Sequence, residues 1–189
     1  MKEERIDRRV KYTKMVLRDS LLDTMKEKPI SKITSAELCR RADINRNTFY
    51  THYRDPADLL RSIEEELYDE LKHSIERSLK YESIPSLVVE ICELILRNLS
   101  LCKILFSEHG DRQFLDRIIY LAHDRSVAEW KRVSQKREPD EMEMFYDFSM
   151  HGSLAVIQRW IRNGVKESPD EIAQLIDKLT TRGLRAFIK

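Results

Sequence analysis

The chain has 189 residues, of which 41% are hydrophobic and 35% are charged, and its formal net charge is +1. That is enough apolar sequence to bury a core and enough charge for the chain to stay soluble. With only 4 Gly and 5 Pro, the composition argues against a β-rich protein, whose turns consume both residues, and favours an all-α fold.

Cysteine content and hydropathy predict a protein of the reducing cytoplasm. The three Cys are an odd number without paired spacing, so we expect no disulfide framework. No stretch approaches the apolar length that a bilayer requires, and the charged start does not resemble a secretory signal peptide. We therefore expect no membrane among the partners of this protein.

Positive charge is concentrated in the first third of the chain. Residues 1–55 carry 14 Lys and Arg against 9 Asp and Glu, whereas the remaining residues carry 20 against 24. A basic N-terminal module on an acidic body suits a protein that meets phosphate groups at one end only.

The first predicted helix runs from about Arg8 to Glu27. Its apolar residues recur at helical spacing and form one stripe, which consists of Val10, Leu17, Leu21, Leu22 and Met25. Pro29 ends this helix, because the residue before a proline disfavours the α-helical region.

Two short helices with almost no loop between them are predicted for residues 34–53. Thr34 and Glu37 have the spacing of a capping box, in which each residue satisfies a backbone N–H of the other. Asp43 falls at the sharp turn, where a left-handed conformation is needed and Asp tolerates it better than most residues. Asn45 then caps the second helix.

The second of these helices has two different faces. Phe49 and Tyr53 are four residues apart and share the apolar face. The other face carries hydrogen-bond donors and a cation, namely Arg46, Asn47, Thr48, Tyr50 and Thr51. This is the pattern of a helix-turn-helix whose second helix fits the major groove of B-DNA. The alternative from these residues alone is a helical hairpin with a solvated polar face.

Six further amphipathic helices are predicted after the helix-turn-helix. The first begins at Pro56, because proline costs nothing at the first helical position. The last is capped by Ser168, which has the capping-box spacing to Glu171. The predicted helices between them occupy about Pro85–Asn98, Leu101–Ser107, Asp111–Lys136 and Pro139–Asn163.

The segment from Ile33 to Leu60 resembles the TetR/AcrR family of bacterial transcriptional regulators. The residues that carry the resemblance are Ile33-Thr34, Leu38-Cys39, Ala42-Asp43-Ile44-Asn45, Thr48-Phe49-Tyr50, His52-Tyr53 and Leu59-Leu60. Two positions depart from the family pattern: Asp43 replaces the usual Gly, and Pro56 replaces a basic residue that typically contacts a phosphate. The stretch from Trp160 to Ile172 is similar to that of a C-terminal subgroup of the family.

The resemblance implies an all-α protein of about nine helices in two domains. Residues 1–54 would form a three-helix, helix-turn-helix DNA-binding domain, and residues 55–189 a helical domain for effector binding and dimerisation. The residues expected to contact double-stranded DNA are Lys32, Thr34, Arg46, Asn47, Thr48, Tyr50, Thr51, His52 and Arg54. Of these, Arg46 and Asn47 can pair with base edges.

The last two helices are the predicted dimer interface, because both are amphipathic and the resembling family uses this pair as a four-helix contact. The small residues that would let the helices approach closely are Gly152, Ala155 and Gly183. The apolar residues that would fill the seam are Phe148, Leu154, Ile176, Leu179 and Leu184.

The resemblance also implies a small-molecule pocket among the helices from Pro56 to Asn163. The residues predicted to line it are Phe106, Phe114, Tyr120, His123, Trp130, Tyr146 and His151. Ordinary core packing remains the alternative for each of these residues.

Neither a metal nor another cofactor is expected. No Cys-x-x-Cys occurs, and the four histidines of the body have no paired metal-ligand spacing: His73, His109, His123 and His151. Cys92 and Cys102 could approach each other as a redox sensor, but buried inert thiols are the usual interpretation of Cys on apolar faces.

These features predict a ligand-responsive, homodimeric DNA-binding transcriptional regulator and not an enzyme, since no catalytic triad, phosphate-binding loop or paired-carboxylate site is recognisable. A repressor that a small-molecule effector releases from its operator is the more usual mode in such families. The alternative is a TetR-like helical adaptor or coactivator that acts through a protein partner, for which Asp43 and Pro56 leave room.

Overall fold

The computed structural model describes the backbone of residues 2–81, 84–123 and 139–187, and the side chains of residues 8–77, 86–121, 123 and 140–180. Within these ranges the chain forms nine α-helices and no β-strand, which confirms the predicted all-α fold. The helices are α1 Lys2–Met25, α2 Ser35–Ala42, α3 Arg46–His52, α4 Pro56–Tyr81, α5 Ile84–Arg97, α6 Leu99–Leu105, α7 Arg112–Ile119, α8 Pro139–Arg162 and α9 Pro169–Phe187.

Most helix boundaries lie within a few residues of those predicted, with two differences. α1 begins at Lys2 instead of about Arg8, because the added residues are mostly Lys, Glu and Arg, which are strong helix formers. α7 ends at Ile119, where a short 3-10 helix, Tyr120–Ala122, follows. Residues 124–136 of the predicted helix lie outside the described residues. No helix in the described ranges is both long and apolar enough to cross a membrane.

The first of two compact units contains Met1–Leu67 and Ile104–Asp111. Its core is formed by fully buried side chains of α1 to α4, among them Leu17, Leu21, Met25, Leu38, Phe49 and Leu59. α2 packs against both α1 and α3. An ion pair of 2.9 Å joins Arg18 on α1 to Glu66 on α4. The fully buried Phe49 places one face of α3 against this core.

The second compact unit contains Tyr68–Lys103 and Arg112–Lys189. α9 packs along α5 and also contacts α8. The buried side chains of α5 and α9 include Cys92, Leu94, Ile172, Ala173 and Ile176. The unit boundary falls within α4 rather than after residue 54, because the start of α4 packs with the first unit. The functional division after residue 54 stays a prediction.

The corner between α8 and α9 is held by backbone and side-chain hydrogen bonds. Gly164 has a φ of 86° and Val165 a φ of 50°, so the chain leaves α8 through two left-handed residues. Ser168 N–H donates to Oε2 of Glu171 at 2.8 Å, and Glu171 N–H donates to Oγ of Ser168 at 3.3 Å. The reciprocal pair confirms the predicted capping box at the start of α9.

Candidate nucleic-acid interface

α2 begins with the cap that its sequence predicts. The backbone N–H of Glu37 donates to Oγ1 of Thr34 at 3.3 Å, and the Glu37 carboxylate lies in the first turn of α2. Lys28 binds that carboxylate from outside the helix, with Nζ 2.8 Å from both of its oxygens. The hydrogen bond from Lys28 is the main reason why the pKa of Glu37 lies below its ordinary value.

The turn between α2 and α3 is as sharp as the sequence predicts. Asp43 takes up the left-handed conformation, with φ 52° and ψ 43°. Its backbone N–H and that of Ile44 both bond to the carbonyl of Cys39, the latter at 2.9 Å. The two bonds satisfy the end of α2 and turn the chain directly into α3.

α3 is capped by Asn45 and anchored by aromatic residues. Oδ1 of Asn45 accepts a hydrogen bond from the backbone N–H of Asn47 at 2.8 Å. Phe49 is fully buried and Tyr53 is 8% exposed, with their ring centroids 5.9 Å apart. Burial raises the pKa of Tyr53, so its hydroxyl stays neutral. These contacts fix which face of α3 points outward.

The outward face of α3 carries most of the residues predicted to contact DNA. The exposed ones are Arg46, Asn47, Tyr50 and Thr51, whereas Thr48 and His52 are half-buried. Thr51 Oγ1 donates to the carbonyl of Asn47 at 2.8 Å, which leaves the hydroxyl oxygen as an acceptor only. An exposed guanidinium, a carboxamide and a phenol on one short helix can read base edges and contact phosphates.

Lys32, Thr34 and Arg54, the predicted phosphate contacts outside α3, are all exposed. Arg54 is engaged within the chain: its Nη2 lies 2.9 Å from Oδ1 of Asp58, and its backbone N–H donates to Oδ2 of Asp58 at 3.0 Å. Arg61 Nη1 reaches the same Asp58 at 3.5 Å. Sequence reasoning missed the part played by Asp58 and Arg61, although their spacing from Arg54 along the chain could have indicated it.

In the second unit, three of the residues predicted to line an effector pocket come together. His123 Nε2 lies 2.6 Å from Oε2 of Glu143, and the His123 ring meets the Tyr146 ring edge-on with centroids 4.7 Å apart. The ring of Tyr120 also lies near His123, with the two ring centroids 5.4 Å apart. The buried Tyr146 donates its hydroxyl to the carbonyl of Ile119 at 2.5 Å. These polar-tipped rings join α8 to the end of α7.

The other predicted pocket residues do not join this cluster. Phe114 is 2% exposed and belongs to the core of the second unit, while His151 is exposed on α8. Phe106 is half-buried in the first unit, and Trp130 lies outside the described residues.

A polar cleft of about 410 Å³ lies between α4 and α5 instead. Its lining consists of Asp69, Glu70, His73, Ser74, Arg77, Glu90 and Arg97. An ion pair between Arg77 and Glu90 occupies part of it. The mixed charges favour no ligand class, and none of the residues predicted for the effector pocket line this cleft.

α8 and α9 each expose apolar side chains. Met144 and Phe148 are 70% and 74% exposed, and Leu179 on α9 is 58% exposed. Gly152 and Ala155 continue the α8 stripe at helical spacing and are exposed as well. Leu154 is half-buried and packs against the Ile119 cluster, while Ile176 is buried within the chain. The side chains of the predicted interface residues Gly183 and Leu184 lie outside the described ones.

Cys39, Cys92 and Cys102 are free thiols, and all three are buried. Burial raises the pKa of Cys92 to about 12, so this thiol is neutral at physiological pH. A reactive thiolate sensor needs the opposite shift. Within the described ranges, no cluster of His, Cys, Asp and Glu has an arrangement that could hold a metal ion.

Comparison with known proteins places this architecture in a family. A family model described as the C-terminal region of a transcriptional regulator, TetR_C_8, matches residues 82–182, more than half of the chain. An uncharacterized HTH-type transcriptional regulator of Bacillus subtilis strain 168, YxbF, is 40% identical over 63 residues, or 33% of this chain. That matched segment spans only 17% of the length of YxbF.

Solved structures share the fold over nearly the whole chain. A TetR transcriptional regulator from Streptococcus agalactiae 2603V is 19% identical with a TM-score of 0.65, covering 94% of this chain and 98% of its own. A transcriptional regulator from Aquifex aeolicus VF5 is 19% identical with a TM-score of 0.57, covering 93% and 99%. The dihydroxyacetone kinase operon activator DhaS is 16% identical with a TM-score of 0.50, covering 92% and 97%. The helix-turn-helix layout and the family match lead to one conclusion: the chain belongs to the TetR family of transcriptional regulators, which are not enzymes.

Proposed function

We propose that this regulator binds double-stranded operator DNA through the outward face of α3. The observation that carries the proposal is the division of α3 into two faces. Phe49 and Tyr53 anchor one face in the core, while Arg46, Asn47 and Tyr50 stand exposed on the other. A helix of this kind can enter the major groove without disturbing its own packing.

The exposed side chains have distinct roles in this proposal. Arg46 has the geometry to pair with O6 and N7 of guanine, and Asn47 with N6 and N7 of adenine. The remaining contacts are to phosphate and sugar, which position the protein, or to a thymine methyl group, which reads the sequence. We assign them to Lys32, Thr34, Thr48, Tyr50, Thr51, His52 and Arg54.

Two copies of the chain are needed for a specific operator, because one recognition helix covers too few base pairs. We propose a homodimer formed by the apolar stripe of α8 and α9, in which Phe148 and Leu179 become buried. Two recognition helices would then meet successive major grooves about 34 Å apart. The exposure of these large apolar side chains supports this assignment, since an apolar patch rimmed by polar residues favours protein association.

We further propose that the protein is a cytoplasmic repressor with a small-molecule effector. Residues 1–54 would read the operator, and residues 55–189 would hold the effector and the dimer contact. An effector that binds better to a state with the wrong spacing of recognition helices would release the operator. The polar-tipped rings of Tyr120, His123 and Tyr146 are the effector contacts proposed here.

The test is a binding assay with an operator selected by the wild-type protein from a pool of random duplexes. Arg46→Ala combined with Asn47→Ala should abolish discrimination between this operator and an unrelated duplex, since each lost base contact costs ~1–3 kcal/mol. The matched control is Arg162→Ala with Asn163→Ala, the same pair of exposed residue types at the end of α8. If the α3 variant still selects the operator like the control, α3 is not the reading helix.

The adaptor alternative is favoured by two features of the proposed DNA face. Pro56 stands where a basic residue would contact a phosphate, and Arg54 is held by Asp58. Salt dependence separates the two functions. If each of the two DNA-binding domains of a dimer makes about three phosphate contacts, DNA affinity should fall about 10³-fold between ~50 and ~200 mM salt. An affinity for DNA that does not change with salt would support the adaptor.

A further inference from the structure

The carboxylate of Asp58 lies at the centre of a charge cluster beside α3. It accepts from the side chain and the backbone of Arg54, at 2.9 and 3.0 Å, and lies 3.5 Å from Arg61. Asp58 has a side-chain exposure of 21%, whereas Arg54 and Arg61 are 78% and 59% exposed. One half-buried anion therefore holds two cations at the surface.

The start of α4 offers no vacant backbone donor at Asp58. The backbone N–H of Asp58 donates to Oδ1 of Asp55 at 2.8 Å. Two carboxylates thus occupy the helix end where an incoming phosphate would otherwise find a positive potential. A DNA phosphate that approaches Arg54 meets a cation already paired and a surface with two negative charges.

Resting on the proposed DNA-binding function, we propose that Asp58 competes with the DNA backbone for Arg54 and thereby limits the affinity of the protein for DNA. Arg54 donates to Asp58 in the free protein, and it leaves this partner to contact a phosphate in the complex. Asp58 is then a positioning residue, because it affects DNA binding only through the side chain of Arg54.

The chemistry of the pair fits an exchange of this kind. Arg54 follows α3 by two residues, so its flexible side chain is within reach of the same duplex. The hydrogen bond from Arg54 lowers the pKa of Asp58, so the competing carboxylate is charged at physiological pH. An exposed ion pair contributes only a little to stability, which means that a phosphate can replace the carboxylate at a small cost.

Asp58→Asn tests the proposal, because the amide keeps an acceptor for the backbone N–H of Arg54 and removes the charge. With a short mixed-sequence duplex at ~50 mM salt, we expect affinity to rise about two- to fivefold. The gain should shrink as salt is raised, since salt screens the competing pair. A substitution that acted only on the fold would not produce this salt dependence.

The matched control is Glu66→Gln, which removes a carboxylate that also pairs with an arginine, Arg18, further along α4. It changes the net charge by the same amount. The effect of the competition is therefore the gain in DNA affinity of Asp58→Asn beyond that of Glu66→Gln. In an Arg54→Ala background this excess gain in affinity should vanish, because the arginine for which Asp58 and the phosphate compete is then absent. Should Asp58→Asn fail to fold by circular dichroism, Asp58→Ser takes its place in the same comparison.

Two results would overturn the inference: equal affinities for Asp58→Asn and Glu66→Gln, or an excess gain that persists at full size without Arg54. Failure of the proposed function looks different. In that case the wild-type protein and the Arg46→Ala, Asn47→Ala variant would show the same preference for every duplex.

Discussion

The indole N–H of Trp160 donates to the backbone carbonyl of Glu167 at 2.9 Å, across the corner that joins α8 to α9. Trp160 is 2% exposed, so replacing it with Phe would remove both this hydrogen bond and part of a buried aromatic side chain. We expect Trp160→Phe to lower the free energy of unfolding by ~1–2 kcal/mol, measured by urea denaturation. Gln174→Ala, an exposed substitution on α9, should stay within ~0.5 kcal/mol of wild type. Equal stabilities of the two variants would contradict this role.

Asp43 gives the turn before α3 a measurable conformational cost. At a φ of 52°, a residue with a Cβ is strained, whereas glycine is not. We expect the unfolding free energy to be highest for Asp43→Gly, lower for the wild type and lowest for Asp43→Ala. The difference between the two variants should be ~1 kcal/mol. Thermal or urea denaturation of the three proteins measures the order. An alanine variant as stable as the glycine variant would mean that the turn is not left-handed in solution.

The ion pair between Lys28 and Glu37 predicts a loss of stability in acid. The pKa of Glu37 lies below its ordinary value of 4.5 in the folded chain. Its stabilising contribution is therefore complete above pH 4.5, and it is lost as the pH falls through the lowered pKa. Glu37→Gln should flatten the unfolding free energy as a function of pH in this acid range.

Lys28→Gln provides the companion measurement, because it removes the principal cause of the lowered pKa and leaves the carboxylate. Both variants should show the same weakened pH dependence below pH 4.5. A Glu37→Gln profile that superimposes on the wild type would show that the pair has no part in acid unfolding.

The proposed dimer predicts a monomeric double variant. Phe148→Glu with Leu179→Glu would place two carboxylates in an apolar seam, where burying an unpaired charge is costly. We expect this protein to sediment as a monomer, to keep its helix content and to lose specific operator binding. Gln174→Glu on the same helix should remain dimeric. Wild-type protein that is monomeric at micromolar concentration would exclude the interface.

Gly152→Ala provides a second, independent test of the proposed dimer interface. A Cβ built there meets nothing within 4 Å in the chain, so Gly152→Ala should stabilise an isolated α8 by ~0.5–1 kcal/mol. In the dimer, the added methyl group would enter the seam. We therefore expect Gly152→Ala to stabilise the monomeric double variant against urea, but to weaken association of the otherwise wild-type protein. If Gly152→Ala stabilised both the monomeric double variant and the dimer, Gly152 would not lie in the interface.

The helix-turn-helix could be predicted because its signals are local. Thr34, Asp43 and Asn45 each act on backbone groups within a few residues, so their spacing along the chain is also their spacing in the structure. The same holds for Ser168 and Glu171 at the start of α9. The anchoring of α3 by Phe49 and Tyr53 follows from helical periodicity in the same way.

Only the tertiary structure decided which of several suitable partners each side chain takes. Glu37 is bound by Lys28 from nine positions away as well as by its own cap, and Tyr146 donates to a carbonyl 27 positions earlier. Amphipathic spacing likewise did not separate Ile176, which is buried, from Leu179, which is exposed. Periodicity specifies the apolar side of a helix, but the elements that pack against it determine how much of that side is covered. Such pairings depend on distances between remote parts of the chain, which local sequence does not encode.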